Sequence, residues 1–166
     1  MIVQIRVDDR LIHGQVALLW AKALGTRGII VANDNAATNE AVKATLKMAC
    51  PQNQKLLVKT VKEAQRVIND PRGKDMRIFG LTNCVRDALS IVQACPGLIG
   101  AVNLANVGRF DGSDSSTKTT VVTSVSLNPD ELAAARQLCN YGIPVYHQIA
   151  PEDPQTSIAN ALSKLQ

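Results

Sequence analysis

Short runs rich in Val, Ile and Leu alternate along this chain with longer segments whose apolar residues recur at helical spacing. This alternation is typical of a mostly parallel sheet, because parallel neighbours are joined by crossover helices that cover the sheet. We therefore predict one doubly wound α/β domain, residues 1–166, with about six to seven strands and helices on both faces. The predicted strands are Met1–Val7, Gly28–Ala32, Lys55–Lys59, Asp75–Gly80, Leu98–Leu104, Thr119–Leu127 and Ile143–His147.

The predicted helices lie between these strands and end at residues that interrupt helices. Gly25 follows the first, Pro51 the second and Gly142 the fifth, and glycine and proline commonly mark helix ends. The segment 106–117 is rich in Gly, Ser and Asp and is predicted to be a loop. The predicted helices are His13–Leu24, Ala36–Ala49, Val61–Asn69, Val85–Ala94 and Pro129–Tyr141, with a short closing helix in the last dozen residues.

The composition narrows the classes of function. The formal net charge is +4, and the basic residues are scattered, which fits an anionic substrate or an ordinary solvated surface. Aromatic residues make up 3% of the chain, too few for a stacking platform that binds single-stranded nucleic acid. Nucleic acid is therefore not an expected partner.

The cysteines and the N-terminal segment indicate a reducing compartment. None of the four cysteines forms a C-x-x-C pair, and the two histidines are far from any zinc-type spacing, so no metal site is expected. Charged residues interrupt the first ten positions, and no apolar stretch of about 18 residues is long enough to span a bilayer. We expect reduced thiols and a cytoplasmic protein.

The most unusual local sequence, Arg6-Val7-Asp8-Asp9-Arg10-Leu11-Ile12-His13-Gly14-Gln15, lies between the first strand and the first helix. In open α/β sheets, ligands bind in the loops at the carboxyl ends of the strands. A neutral imidazole such as that of His13 is a competent nucleophile near neutral pH. Arg6 and Arg10 offer forked donors for phosphoryl oxygens, and a helix N-terminus offers backbone N–H groups.

The other residues of the loop fit the same chemistry. Asp8 or Asp9 could hold an arginine or accept a hydrogen bond from the second imidazole nitrogen, and Gly14 allows close approach of a partner backbone. A structural interpretation is also open, with capping aspartates, a solvated arginine and a surface histidine. His147, the second histidine, is expected to be structural at the end of its strand.

Three common catalytic motifs are missing from the sequence. It contains no G-x-x-x-x-G-K-[ST], no G-x-G-x-x-G and no G-x-S-x-G. A phosphoryl donor would therefore be another protein or a phosphorylated metabolite.

The segment Arg6 to Val16 closely resembles the phosphorylation-site segment of the IIB subunits of the mannose/fructose/sorbose family of sugar phosphotransferase systems. The similarity extends over essentially the whole chain, and Leu104-Ala105-Asn106-Val107-Gly108 resembles that family's Asn-Val-Gly loop. The resemblance implies that His13 receives a phosphoryl group on Nδ1 from a phosphorylated IIA protein or domain. It then passes the group to a sugar bound by the IIC and IID membrane subunits.

The resemblance also assigns roles to neighbouring residues. Arg10 is expected to steady the phosphoryl group, and Arg6, Asp8 and Asp9 to line or brace the pocket. Residues of the pocket or phosphate site are Gly14, Gln15, Asn106 and Gly108. No cofactor is implied, and the protein is expected at the inner face of the membrane through IIC and IID.

The resemblance leaves several points open. The family often continues its Asn-Val-Gly loop with Gly-Met, whereas this chain has Arg109-Phe110 followed by a polar stretch, 111–118. The same histidine would also serve a regulatory phosphoprotein without a role in transport. The sequence names no sugar, and the apolar helices leave a homodimer open.

Overall fold

The computed structural model describes residues 1–165. Its main sheet contains seven strands, and a separate antiparallel hairpin contains two more. The main-sheet strands are β1 (Ile2–Asp8), β2 (Gly28–Ala32), β3 (Lys55–Lys59), β4 (Ile78–Thr82), β5 (Val102–Asn106), β8 (Val145–His147) and β9 (Thr156–Ser157), and the hairpin strands are β6 (Thr119–Val122) and β7 (Val125–Leu127). The order in the sheet is β3-β2-β4-β1-β5-β8-β9; β9 pairs with β8 in an antiparallel way, and the other neighbouring strands pair in a parallel way.

Seven helices connect and cover these strands. They are α1 (Val16–Leu24), α2 (Asp34–Thr38), α3 (Glu40–Ala49), α4 (Val61–Asn69), α5 (Val85–Ala94), α6 (Pro129–Leu138) and α7 (Ile158–Ser163). The predicted α/β class and the mostly parallel sheet are confirmed. The predicted closing helix corresponds to α7, and Gln166, the last residue of that predicted segment, lies outside the described residues.

Apolar side chains on alternate positions of each strand fill two separate cores. On β2, Ile29 and Val31 belong to the core beneath α1 and α3, whereas Ile30 and Ala32 belong to the core beneath the later helices. Successive strand residues point to opposite faces of a sheet, so a continuous apolar run indicates a strand covered on both sides.

Several predicted boundaries were wrong, and backbone conformation explains the main differences. The helix predicted from His13 begins at Val16, because Gly14 has a φ of 51°, outside the right-handed helical region. The helix predicted over 36–49 is two helices, since Asn39 is extended and its side chain caps the second by accepting from the amides of Ala41 and Val42.

The strand predicted over 119–127 is also wrong. It is a hairpin, and Ser124 at its turn has a φ of 68°. The fourth and fifth strands begin three and four residues later than predicted, at Ile78 and Val102, and the last predicted strand begins at Val145. The helix predicted to Tyr141 ends at Leu138.

The central strand β1 carries the candidate site to the middle of one sheet edge. It lies between β4 and β5 in parallel register, with Asp8 paired with Asn106. The loops that follow β1 and β5 therefore meet at the carboxyl edge of the sheet, where doubly wound folds bind ligands.

Candidate functional site

The segment between β1 and α1 holds His13 in a loop rather than in the first helical turn. A tight turn begins it, in which the amide of Leu11 donates to the carbonyl of Asp8 over 2.9 Å. Leu11 has a φ of 57° although it carries a side chain, and Gly14 has a φ of 51°. A left-handed backbone costs a non-glycine residue about 1–2 kcal/mol, so the surrounding contacts hold this loop in shape.

Asp8 is the buried hub of the loop. Its Oδ2 accepts from Nη2 of Arg6 at 3.3 Å and from Nδ2 of Asn106 at 3.1 Å, and its Oδ1 accepts from the backbone amide of Arg10 at 3.1 Å. The side chain has no exposed surface. These three donors compensate the buried carboxylate and bind β1, β5 and the loop together.

Arg6 faces inward and is 1% exposed. Its Nη1 donates to the carbonyls of Gln148 and Ile149 at 3.2 and 3.1 Å, and its guanidinium lies 5.5 Å from the ring centroid of Trp20. Burial lowers the pKa of Arg6, and the charge of Asp8 opposes that change. In this arrangement Arg6 braces the loop through Asp8 and the two carbonyls.

Asp9 pairs with an arginine that is distant in sequence. Its Oδ2 accepts from Nε of Arg109 at 2.9 Å and from the Arg109 backbone amide at 3.3 Å. Its own backbone amide donates to the carbonyl of Asn106 over 2.8 Å. The Asn106–Arg109 segment therefore positions this part of the loop.

Arg10 contacts the imidazole directly. Its Nη2 lies 2.9 Å from Nε2 of His13. A guanidinium can only donate, so Nε2 is the acceptor and the neutral ring carries its proton on Nδ1. That Nδ1 lies 3.9 Å from Oδ1 of Asp8 and has no hydrogen-bond partner among residues 1–165.

The surroundings favour the neutral form of His13. Burial lowers its pKa below the usual value, and the positive charges of Arg10 and Arg6 lower it further, whereas the charge of Asp8 acts in the opposite direction. The side chain is 18% exposed. A neutral imidazole at a loop that enters a helix can act as a nucleophile near neutral pH.

Gly14 and Gln15 lie at the open side of the site. Both are exposed, and Gln15 is the N-cap residue of α1. Among the described residues no side chain caps α1, and its first turn contains no acidic residue. The N-terminal amides of α1 are therefore available to an anion brought to His13.

Gly108 supports the site through its backbone. Its φ is 99°, and a Cβ there would lie 1.7 Å from the carbonyl oxygen of Ser126. Glycine at this position lets the β5 loop pack against the hairpin, and the ammonium of Lys118 donates to the Gly108 carbonyl.

His147 makes a hydrogen bond within the sheet, which fits the structural role expected for it. It lies on β8, and its Nδ1 contacts the carbonyl of Leu104 at 2.7 Å. Because a carbonyl only accepts, that nitrogen is protonated.

Sequence reasoning missed Asn103 and Gln148. The buried Asn103 amide exchanges two hydrogen bonds with the Gln148 backbone, at 2.9 and 3.0 Å, and this holds the Gln148 carbonyl, one of the two that accept from Arg6. The signal available in the sequence was a polar residue inside an otherwise apolar strand. Trp20, buried in α1, also donates from its indole nitrogen to the carbonyl of Ile149 over 2.9 Å.

Within residues 1–165, no three or more His, Cys, Asp or Glu residues are grouped as a metal site would require. None of the helices in this range has the length and apolar character needed to cross a bilayer.

Comparison with known proteins places the chain in a family. Residues 2–166 match the model of the phosphotransferase system (PTS) sorbose subfamily IIB component. A protein of Streptococcus pyogenes serotype M6 named "Probable phosphotransferase enzyme IIB component" is 47% identical over 164 residues, which are 98% of this chain and 100% of that protein. The mannose-specific EIIAB component of Escherichia coli K12 is 29% identical over 160 residues, 96% of this chain and 48% of that protein.

A solved structure supports the same assignment. The IIB domain of the sorbose permease from Klebsiella pneumoniae superimposes with a TM-score of 0.89 at 28% identity, covering 100% of this chain and 98% of that one. Sequence and fold thus agree over the full length of the chain. The chain belongs to the sorbose subfamily of IIB components of the sugar phosphotransferase system.

Proposed function

We propose that His13 accepts a phosphoryl group from a phosphorylated IIA protein or domain and passes it to a sugar bound by IIC and IID membrane subunits. The observation that carries this proposal is the 2.9 Å contact between Nη2 of Arg10 and Nε2 of His13, in a loop that opens onto the N-terminus of α1. The protein thus acts as a phosphohistidine–sugar phosphotransferase component at the cytoplasmic face of the membrane.

The surroundings of His13 suit an incoming phosphoryl group. The arginine offers several N–H donors, and the uncapped amides of α1 offer more. Phosphoryl transfer depends mainly on positioning and on compensation of the charge of the equatorial oxygens. Arg10 is exposed, so it can move from the ring to those oxygens.

Each transfer exchanges one bond to phosphorus for another. In the first, the P–N bond on the donor histidine breaks as a P–N bond to His13 forms. In the second, that bond breaks as a P–O bond to a sugar hydroxyl forms, the electron pair of the P–N bond returns to the imidazole nitrogen, and the hydroxyl proton passes to solvent. For attack by Nδ1, the atom that the family resemblance designates, the ring turns outward and holds its proton on Nε2 instead.

The proposed partners follow from the family. The Escherichia coli relative is named as a joint EIIAB component, and this chain matches 48% of it. A IIA partner supplied as a separate chain or a fused domain is consistent with that arrangement. Gly14 and Gln15, both exposed, leave the site open to a partner backbone.

The test is phosphorylation by phosphoenolpyruvate with the general phosphotransferase proteins and the matching IIA. Wild type is expected to acquire an acid-labile, base-stable label, His13→Ala none, and the matched control His147→Ala the wild-type amount, provided that circular dichroism shows the same fold. Equal labelling of His13→Ala and wild type would exclude His13.

Discharge of the label distinguishes transport from regulation. Membranes containing IIC and IID, together with their sugar, are expected to remove the label from wild type. A label that persists under these conditions would contradict transfer to sugar and support a regulatory phosphoprotein that uses the same histidine.

A further inference from the structure

The two aspartates of the phosphoacceptor loop are paired with different arginines. Asp8 lies against the buried Arg6, with Nη2 and Oδ2 3.3 Å apart, and Asp9 lies against Arg109, with Nε and Oδ2 2.9 Å apart. Neither carboxylate is paired with the side chain of Arg10. The pairing leaves one guanidinium free to contact His13.

Asp9 is a buried carboxylate that depends on a single cation. Its side chain is 3% exposed, its Oδ2 receives both the backbone amide and Nε of Arg109, and its Oδ1 has no partner among residues 1–165. A buried carboxylate that loses its cation attracts the nearest replacement. Arg10 is exposed and adjacent to Asp9 in sequence, so it is the cation expected to compete for that carboxylate.

Two contacts restrain Arg109 in the position where it pairs with Asp9. Its guanidinium lies 5.1 Å from the ring centroid of Phe110, and its backbone amide is fixed on the same carboxylate oxygen. A side chain restrained at both ends loses less rotamer freedom when it forms an ion pair.

We infer that Arg109 is a positioning residue for phosphoryl transfer at His13: by holding Asp9, it keeps Arg10 on the imidazole. This inference rests on the proposed function, because it assigns Arg109 a role in the same transfer. Arg109 need not contact the phosphoryl group. Its loss acts through the competition between Asp9 and His13 for one guanidinium.

The experiment compares Arg109→Ala with the double variant Arg109→Ala/Asp9→Asn. The single variant is expected to accept a phosphoryl group roughly tenfold more slowly, the effect of losing about 1.4 kcal/mol of transition-state stabilisation. The double variant is expected to return close to the wild-type rate, because no carboxylate then competes for Arg10. Because Asp9→Asn also removes the unpaired buried charge of the single variant, the rescue counts as positioning only when urea unfolding shows that both variants are fully folded under the assay conditions.

A second measurement needs no phosphodonor. The pKa of His13, followed by NMR of the imidazole, is expected to rise in Arg109→Ala, because a positive charge leaves the ring while the charges of Asp8 and Arg6 stay in place. It is expected to return to the wild-type value in the double variant. This readout separates failure of the positioning role from failure of the proposed relay.

Two results would overturn the inference. One is an unchanged His13 pKa in the folded Arg109→Ala protein, and the other is a slow double variant. If Arg109→Ala does not fold, Arg109→Gln keeps most of the side-chain volume and removes the charge, and the same comparison with Asp9→Asn applies.

Discussion

Nη2 of Arg10 lies 2.9 Å from Nε2 of His13, three residues further along a loop that leaves the central strand. The contact joins the one arginine of the loop that lies exposed to the imidazole proposed to carry the phosphoryl group. It also fixes the tautomer of the neutral ring, because the guanidinium can only donate a hydrogen bond and Nε2 must therefore accept it.

Replacing Arg10 by Ala is expected to slow phosphoryl acceptance about ten- to a hundredfold, since a hydrogen bond to a charged group contributes about 1.5–3 kcal/mol. The rate of Arg10→Lys is expected to lie between those of wild type and Arg10→Ala, because lysine keeps the positive charge and loses the paired N–H donors of the guanidinium. The initial rate of labelling by phosphorylated IIA measures this. Wild-type rates in both variants would contradict the assigned role.

The phosphorylated nitrogen is expected to be Nδ1, as the family resemblance implies, although Nδ1 faces Asp8 in this structure. Phosphorylation there requires the ring to turn outward, so Arg10 should leave Nε2. NMR of the phosphoprotein labelled with nitrogen-15 in its histidines identifies the nitrogen coupled to phosphorus. Coupling to Nε2 would show that the ring reacts in its present orientation.

Stability is expected to fall as the pH drops from the ordinary histidine value, about 6.5, towards the lowered pKa of folded His13. In that range the unfolded chain binds more protons than the folded protein, so stability rises with pH. His13→Gln should flatten this part of the profile. Urea unfolding at a series of pH values measures it, and identical slopes for the two proteins would contradict the lowered pKa.

Asp8→Asn is expected to destabilise the protein by about 3–5 kcal/mol, because it removes the charge that compensates the buried Arg6. The side chain introduced by Asp8→Asn would also point an N–H donor at groups that themselves donate to Asp8 in the wild type. Asp130→Asn, at an exposed position of α6, is a control expected to stay within about 0.5 kcal/mol. Equal midpoints of urea unfolding for the two variants would count against Asp8 as the hub of the loop.

Gly108→Ala is expected to cost at least about 3 kcal/mol, since the new Cβ overlaps backbone and the left-handed conformation adds strain. Gly112→Ala is the matched control. Gly112 also has a positive φ, 74°, but a Cβ there meets nothing within 4 Å, so its cost is about 1–2 kcal/mol. Similar losses of stability in thermal unfolding for the two variants would show that the positive φ alone, and not the overlap with Ser126, accounts for the effect of Gly108→Ala.

The class of the fold could be predicted from the sequence because hydrophobic alternation is a local property. Apolar runs such as Gly28–Ala32 and Lys55–Lys59 have the predicted bounds in the structure. The predicted start of α1 was wrong because the backbone leaves the helical region at Gly14, and the single strand predicted over 119–127 was wrong because the chain turns at Ser124. Both failures are single positive φ values, which a hydrophobic pattern does not contain.

The location of the candidate site was also accessible from the sequence. A run of charged residues and a histidine between a strand and a helix indicates a loop at the carboxyl edge of a parallel sheet. Predicting the contact of Asp8 with Asn106 would have required knowing that β1 and β5 are neighbours in the sheet. That order depends on long-range packing and is not written in either strand.

The sequence by itself determined the α/β class, the loop that carries His13 and the family to which the chain belongs. Only the tertiary structure decided that Asp8 pairs with Arg6 and Asp9 with Arg109, leaving Arg10 to the imidazole. Residues adjacent in sequence offer several equivalent ion pairs. The fold selects among them. Arg6 is enclosed on the same strand as Asp8, and the loop after β5 brings the partly exposed Arg109 to the buried Asp9.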